Sequence, residues 1–306
     1  MNDPQKSLCG FINVLKPPGI TSAQVVSRVK KLIGGVKVGH AGTLDPEAAG
    51  VLPLMIGKAT RLFDYIQEKE KSYIAEIAFD CSTDTQDAQG NAVDRTRRYP
   101  SEADLQAAMK DFLGEIWQRP PMISAIKQSG KRLYELARAG IQADVPARKV
   151  IIHRFDLVRM TRRHGALLSV TCSKGVYIRT LCHDLGQSLG CPAHMRFLLR
   201  NQSGVFTLKT ARTMEQLEKL VNQGRIGDAL LPPETALSHL PSVVVPSAWE
   251  TVFRNGGRLP WPAFLNVNGT EVQDGGLVCL QEGERLAAIG VRQGDELRTR
   301  TWLGEQ

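Results

Sequence analysis

The sequence predicts an α+β fold: a mainly antiparallel mixed sheet flanked by helices, followed by a small β-rich C-terminal domain. Three observations carry this expectation. Strand-like segments come as neighbouring pairs, as at 149–160 and 166–172 around the basic turn 161–165. Helical periodicities fall irregularly among them, which argues against strict βαβ alternation. A proline-rich stretch, Pro232-Pro233 to Pro241, then precedes short strands near the end of the chain. The 306 residues therefore divide into 1–240 and 241–306.

The elements follow in order. Residues 10–15 form a strand that stops at Lys16-Pro17-Pro18-Gly19, a turn. Thr21 or Ser22 caps a helix whose Val25, Val26, Val29, Leu32 and Ile33 share a face. Gly34-Gly35 ends it. A loop around Asp45 leads into a buried strand near 51–57, and 59–66 forms a short helix. Residues 72–80 alternate, with Tyr73, Ala75, Ile77 and Phe79 on one face. The polar stretch 81–99 reads as a surface excursion. Ser101 to Asp104 resembles a capping box for a helix carrying Leu105, Met109, Phe112 and Leu113. Residues 127–132 make a basic turn before a short helix ending at Gly140. Ile178, Leu181, Leu185 and Leu189 face inward on a helix closed by Gly190. Another helix spans 214–222. In the tail, a helix at 247–254 precedes strands at 276–280, 286–291 and 297–302, with Trp249, Phe253, Trp261 and Phe264 expected to staple the tail to its neighbour.

The net charge of +8 is unevenly spread. Residues 241–306 hold 6 Arg and no Lys against 8 Asp/Glu, while 148–200 hold 10 Lys/Arg against Asp156 and Asp184. A basic band of this kind suits a polyanionic partner, most simply nucleic acid. The six cysteines are scattered without a CxxC pair, so they read as reduced, buried thiols. Cys182, His183, Cys191 and His194 have residue types that bind zinc, but their spacing fits no common finger, and no metal is expected. The start of the sequence shows no apolar signal region, and the longest apolar stretch is too short for a bilayer. A cytoplasmic protein without membrane association is expected.

Several chemistries are poorly supported. Gly57-Lys58 lacks the upstream P-loop glycine and is followed by Ala59, no GxGxxG opens a helix, and no GxSxG elbow exists. The stretch Val38-Gly-His-Ala-Gly-Thr-Leu-Asp45-Pro46 offers a lone acid. Its glycines allow a tight turn, and Pro46 biases Asp45 toward an extended conformation. On local evidence, Asp45 is equally well a turn cap or a working carboxylate. A lone carboxylate can serve as nucleophile, base or stabiliser of an oxocarbenium-like centre, which suits a glycosidic reaction that needs no second acid to activate water.

Five stretches carry a resemblance. They are Lys16-Pro-Pro-Gly-Ile-Thr-Ser22, Gly39-His-Ala-Gly-Thr-Leu-Asp-Pro46, Lys71-Ser-Tyr-Ile-Ala-Glu76, Arg119-Pro-Pro-Met-Ile-Ser-Ala125 with Lys127 and Gly130, and Gly175-Val-Tyr-Ile-Arg-Thr-Leu181 with Asp184-Leu-Gly186. In this order, from about residue 10 to 206, the chain resembles the TruB family of tRNA pseudouridine synthases. Residues 241–306 more loosely resemble the PUA-type RNA-binding module. The resemblance implies isomerisation of uridine-55 in the tRNA T-loop: the base is flipped, detached from C1′ and rejoined through C5, with no cofactor or metal. It makes Asp45 the catalytic aspartate, with Tyr73 stacked on the uracil and Arg179 paired with Asp45. Tyr177 and Leu198 would line the pocket, His40 would pack against RNA bases, and Lys16 and Arg61 would serve backbone or loop contacts. Two positions depart from the family pattern: Ile123 stands where the family often has Tyr, and Leu199 where it usually has Arg. The expected partner is the T-stem-loop of tRNA, and the expected state a monomer. A non-catalytic RNA-binding protein and a synthase working in a guide-RNA complex are the competing possibilities.

Overall fold

The structure is a computed structural model that describes residues 8–66, 70–121, 127–128, 131–133, 144–162, 164–261 and 272–304. In chain order its first elements are β1 (Gly10–Lys16), α1 (Ser22–Leu32), β2 (Val38–His40), β3 (Ala49–Ile56), β4 (Lys71–Ala78), β5 (Cys81–Thr83), β6 (Ala92–Arg95), α2 (Glu102–Met109) and β7 (Gly114–Gln118). Two short strands, β8 (Lys127–Gln128) and β9 (Lys131–Arg132), pair with each other. Then come β10 (Arg148–Thr161), β11 (Gly165–Cys172), α3 (Ile178–Ser188), β12 (His194–Ser203), β13 (Phe206–Thr207) and α4 (Met214–Asn222). The chain ends with β14 (Ser242–Val244), α5 (Glu250–Arg254), β15 (Leu259–Pro260), β16 (Leu277–Glu282), β17 (Arg285–Gln293) and β18 (Glu296–Trp302).

One large sheet runs β1-β3-β12-β4-β11-β10-β7, with β2 added to β3 and β13 to β12. Its pairings are antiparallel except β12 on β3, which is parallel at Leu199–Ala49 and Arg200–Gly50. The mixed, mainly antiparallel sheet of the sequence reading is therefore present. The parallel contact depends on Gly50, whose φ is +119° and where an added Cβ would sit 2.2 Å from the Arg200 carbonyl oxygen. The β4 alternation holds as expected, with Tyr73, Ala75, Ile77 and Phe79 all buried. They pack with Leu168, Val170, Leu181 and Leu185 on one side of the sheet. On the other part of the sheet, Ile12, Val14, Leu52, Leu54 and Ile56 meet the Val25 and Val29 face of α1.

A second sheet runs β14-β16-β17-β18-β15. Here the aromatic expectation fails. Phe253, Trp261 and Trp249 pack among Val243, Val278, Leu280 and Leu297, inside this sheet's own core; Phe264 lies outside the described residues. The contact between the sheets is made instead by Phe11, Val51, Met55 and Leu62 against Cys279, Leu286, Ile289 and Leu303. Ala236 and Leu237 of the proline-rich stretch are buried in the same cluster, and Glu234 accepts the Leu286 N–H at 2.6 Å. That stretch is packed chain rather than a loose connection. The helix carrying Leu105 ends at Met109, and Leu113 is exposed. Of the helix expected up to Gly140, residues 134–140 lie outside the described residues. Among the described residues, no helix is long and apolar enough to cross a membrane.

Candidate active site

Asp45 sits on the loop between β2 and β3, and that loop is held through its main chain. Thr21, not Ser22, caps α1, in a reciprocal capping box with Gln24. Ser22 is thereby released to bond Leu44, accepting its N–H at 2.9 Å and donating to its carbonyl at 3.0 Å. Lys16 is fully buried, and its Nζ donates to the carbonyls of Pro17, Ile20 and Pro46 at 2.8, 2.7 and 2.7 Å. Burial pulls this ammonium down to about 8, against the nearby charges of Glu47 and Asp45. Arg200, 1% exposed, reaches from β12 to the carbonyls of Val51, Thr43 and Gly42 at 2.8, 3.2 and 3.3 Å. The Asp45 carbonyl accepts from Ala48 N–H at 3.1 Å, while the carboxylate is partly exposed.

The opposite wall is the turn before α3 and its first residues. Arg179 is nearly buried and sets Nη2 3.4 Å from Asp45 Oδ2. Its Nη1 lies 3.5 Å from Asp87 Oδ2. Asp87 comes from the polar stretch that reads as a surface excursion. That stretch is instead tied in: β5 pairs with β6, Met195 N–H donates to Gln86 O at 3.0 Å, and Thr180 Oγ1 donates to Gln86 Oε1 at 2.7 Å. Between the two walls lies a cavity of about 170 Å³ lined by Thr43, Leu44, Asp45, Lys71, Tyr73, Tyr177, Arg179 and Leu198, among others. A carboxylate, a paired guanidinium and an aromatic face against an apolar wall can stack a planar base and place charge at the carbon beside it.

Five of the eight sequence-derived site residues meet here: Asp45, Tyr73, Tyr177, Arg179 and Leu198. The other three are elsewhere. His40 ends β2 opposite Leu54 and does not line the cavity. Lys16 is buried behind the loop, and its bonds go to that loop's and its neighbours' carbonyls. Arg61 donates to the Trp302 carbonyl at 2.8 Å and so joins the second sheet. Arg200, Ser22 and Asp87 are absent from the sequence reading as site residues. The signal for Arg200 is its place two residues after Leu198 on a strand that buries both residues.

The cysteines form no reactive cluster. Burial pushes the Cys182 and Cys172 thiols up to about 12, far from the thiolate a metal needs. Asp80, Cys81 and His194 do bring potential ligand atoms within 4.8 Å of one another. However, His194 Nδ1 is 2.9 Å from the Cys81 carbonyl oxygen. A ring nitrogen bonded to a carbonyl carries the hydrogen and has no lone pair for a metal there.

Comparison with known proteins agrees with this geometry. Residues 30–178 match the N-terminal domain model of TruB family pseudouridylate synthases, and 179–238 match the tRNA pseudouridylate synthase B C-terminal domain model. The chain is 44% identical over 279 residues to "tRNA pseudouridine synthase B" of Moorella thermoacetica, covering 90% of each chain. It is 46% identical over 247 residues to the protein of the same name from Symbiobacterium thermophilum, covering 80% of this chain and 81% of that one. Among solved structures it resembles a chain of an H/ACA RNP bound to a substrate RNA containing 2′-deoxyuridine, with 26% identity, a TM-score of 0.75 and coverage of 98% of this chain and 86% of that one. It also resembles a chain of a Cbf5–Nop10–Gar1 complex, with 28% identity, a TM-score of 0.73 and coverage of 99% and 87%. With an aspartate, an arginine and a tyrosine facing one cavity on this sheet, the chain belongs to the TruB family of pseudouridylate synthases.

Proposed function

We propose that this chain isomerises uridine-55 in the T-loop of tRNA to pseudouridine, with Asp45 as the catalytic aspartate. The observation that carries this is the Asp45–Arg179 pair facing Tyr73 and Leu198 across a cavity with room for one pyrimidine. Flipping the target base costs about a few kcal/mol, offset by stacking on Tyr73 and by contact with Leu198. Arg179 orients the carboxylate toward the C1′ side of the base. Asp45 then stabilises the charge that develops as the glycosidic bond breaks, by covalent addition or electrostatically. The freed uracil turns within the pocket and C5 bonds C1′, displacing the Asp45 carboxylate where it has added; the C5 proton then leaves, with Tyr73 as the candidate group beside it, and N1 ends protonated. The chemistry calls on no cofactor or metal.

The 148–200 band supplies the RNA face, with His40 at the edge of the T-loop footprint. Residues 1–240 serve as the catalytic domain and 241–306 as a PUA-type RNA-binding domain. The favoured state is a cytoplasmic monomer, in keeping with six cysteines that are all unpaired. The Moorella and Symbiobacterium relatives, both named as tRNA enzymes, favour tRNA over a guide-RNA complex as the source of the uridine.

The test is Asp45→Asn on a T-stem-loop RNA. Pseudouridine formation is expected to be lost while RNA binding stays within about threefold, and binding of both proteins weakens with salt as phosphate counterions are released. Undiminished turnover by the variant sinks the role of Asp45.

A further inference from the structure

We infer that Gln118 is a positioning residue for this reaction, clamping Tyr177 so that Arg179 meets Asp45. The inference rests on the uridine-55 reading for its chemistry but on separate geometry. β7 is the edge strand of the large sheet. Trp117 points outward, 71% exposed, while Gln118 at the strand's end turns inward, 1% exposed. A buried primary amide requires partners for both its donor and its acceptor. Gln118 finds both on one residue: Oε1 accepts the Tyr177 N–H at 2.7 Å, and Nε2 donates to the Tyr177 carbonyl at 3.1 Å. The side chain thus pairs with Tyr177 as a neighbouring strand would.

Tyr177 is the N-cap of α3, in extended conformation and without a side-chain cap bond. N-cap positions favour Ser, Thr, Asp or Asn, which cap with their own side chains; here an external amide fixes the backbone instead. The Tyr177 carbonyl also accepts the Leu181 N–H at 3.0 Å, the opening bond of the helix. Arg179 is two residues further on. Its Nη2 is 3.4 Å from Asp45, so a small rotation at Tyr177 moves the guanidinium out of reach. Arg148, opposite Gln118 in the β7–β10 register, reinforces the turn. It donates to the Gly175 carbonyl at 2.9 Å and lies 5.3 Å from the centre of the Tyr177 ring. Beyond Gln118, Pro120 and Pro121 are both buried, and Pro120 restricts Arg119 to extended conformations. The amide is therefore held at its own end as well.

Only a glutamine-like group meets both needs. Methionine has the size and neither hydrogen bond. Glutamate keeps the acceptor for Tyr177 N–H but, when ionised, sets an oxygen against the Tyr177 carbonyl. The experiment compares wild type, Gln118→Met and Gln118→Glu by amide hydrogen exchange at Tyr177, affinity for a T-stem-loop RNA and single-turnover rate.

In Q118M the Tyr177 amide is expected to exchange at least tenfold faster, because it loses its acceptor. The turnover rate falls about 10- to 100-fold through misplacement of Arg179. RNA affinity changes less than about threefold, since the basic side chains that would meet the phosphates are unaltered. Because Gln118 acts through Arg179, adding Q118M to Arg179→Lys costs less than about threefold more. A generally damaged fold would multiply the two losses instead. Should Q118M not fold, Gln118→Ala, which keeps neither bond, carries the same measurements, whereas Q118E keeps the acceptor for Tyr177 N–H and is expected to lose turnover alone. Unchanged exchange at Tyr177, a wild-type rate, or fully multiplicative losses with Arg179→Lys each overturn the clamp. If the wild-type chain makes no pseudouridine, the uridine-55 reading fails, and exchange at Tyr177 still decides whether Gln118 holds the turn.

Discussion

The two walls of the cavity are built on different plans. The Asp45 loop is bound by Lys16, Ser22 and Arg200, whose hydrogen bonds to it go to main-chain atoms. The Arg179 wall uses side-chain charge, with Arg179 between Asp45 and Asp87. One plan fixes where the carboxylate is while leaving its oxygens for chemistry. The other fixes how charge is shared across the pocket. Damage to the first should register in stability and damage to the second in turnover.

The largest effect is expected from the second wall. Arg179→Met removes the partner of Asp45 and should lower turnover about 10²- to 10³-fold, the scale of a lost transition-state electrostatic contact. Chemical quench of pseudouridine formation measures it. A comparable fall in the melting temperature would erase the contrast between the walls. Arg200→Met works on the first wall. It leaves the buried Val51 carbonyl unpaired and frees the more exposed carbonyls of Gly42 and Thr43, at a cost of about 1–3 kcal/mol in urea unfolding. Asp87→Asn is milder: a drop in turnover of about tenfold, with stability nearly unchanged, since Asp45 still faces the arginine.

Lys16 sharpens the comparison through pH. Its ammonium titrates near 8 in the fold and near 10.5 when free. Between those values the unfolded chain binds more protons, so this group's contribution to stability rises with pH, and it is flat below 8. Urea midpoints of wild type relative to Lys16→Met should therefore climb between pH 8 and 10.5. A constant difference would mean that Lys16 keeps an ordinary pKa. The smallest effect belongs to Arg61→Ala. Its single described bond goes to Trp302 on the second sheet, so stability should change by no more than about 0.5 kcal/mol and turnover hardly at all. A strong loss of turnover would restore Arg61 to the RNA face.

The cavity residues are legible through the stretches that carry the family resemblance. Local pattern places Asp45 on a loop between glycines and a proline and Tyr73 on an alternating strand, but by itself it leaves Asp45 equally well a turn cap. The supports were illegible for a common reason: their partners are distant main-chain atoms, which no local pattern encodes. Ser22 looked like a cap, and only the geometry shows that Thr21 takes that role. Asp87 lay in a polar tract whose composition matches a surface loop, although the tract folds back under Thr180. Arg200 looked like part of the basic band. Lys16 and Arg61 follow the same rule, because a lysine or arginine in sequence gives no hint that carbonyls await it. In the fold, alternation and caps located most elements well. Trp249, Phe253 and Trp261 pack within their own sheet and not against the neighbouring one, since hydrophobicity says that a residue is buried but not against what.

The six free thiols give the molecule a built-in chemical gauge. Cys81, Cys172, Cys182, Cys191 and Cys279 are buried. Cys9 is half-buried and packs beside the cluster where Leu62 and Phe11 meet the second sheet, and burial raises its thiol too. An alkylating reagent should therefore label the folded chain slowly and at Cys9 first. The slower labelling of Cys279, buried between the two sheets, would then count how often they part, in the free chain and with RNA bound.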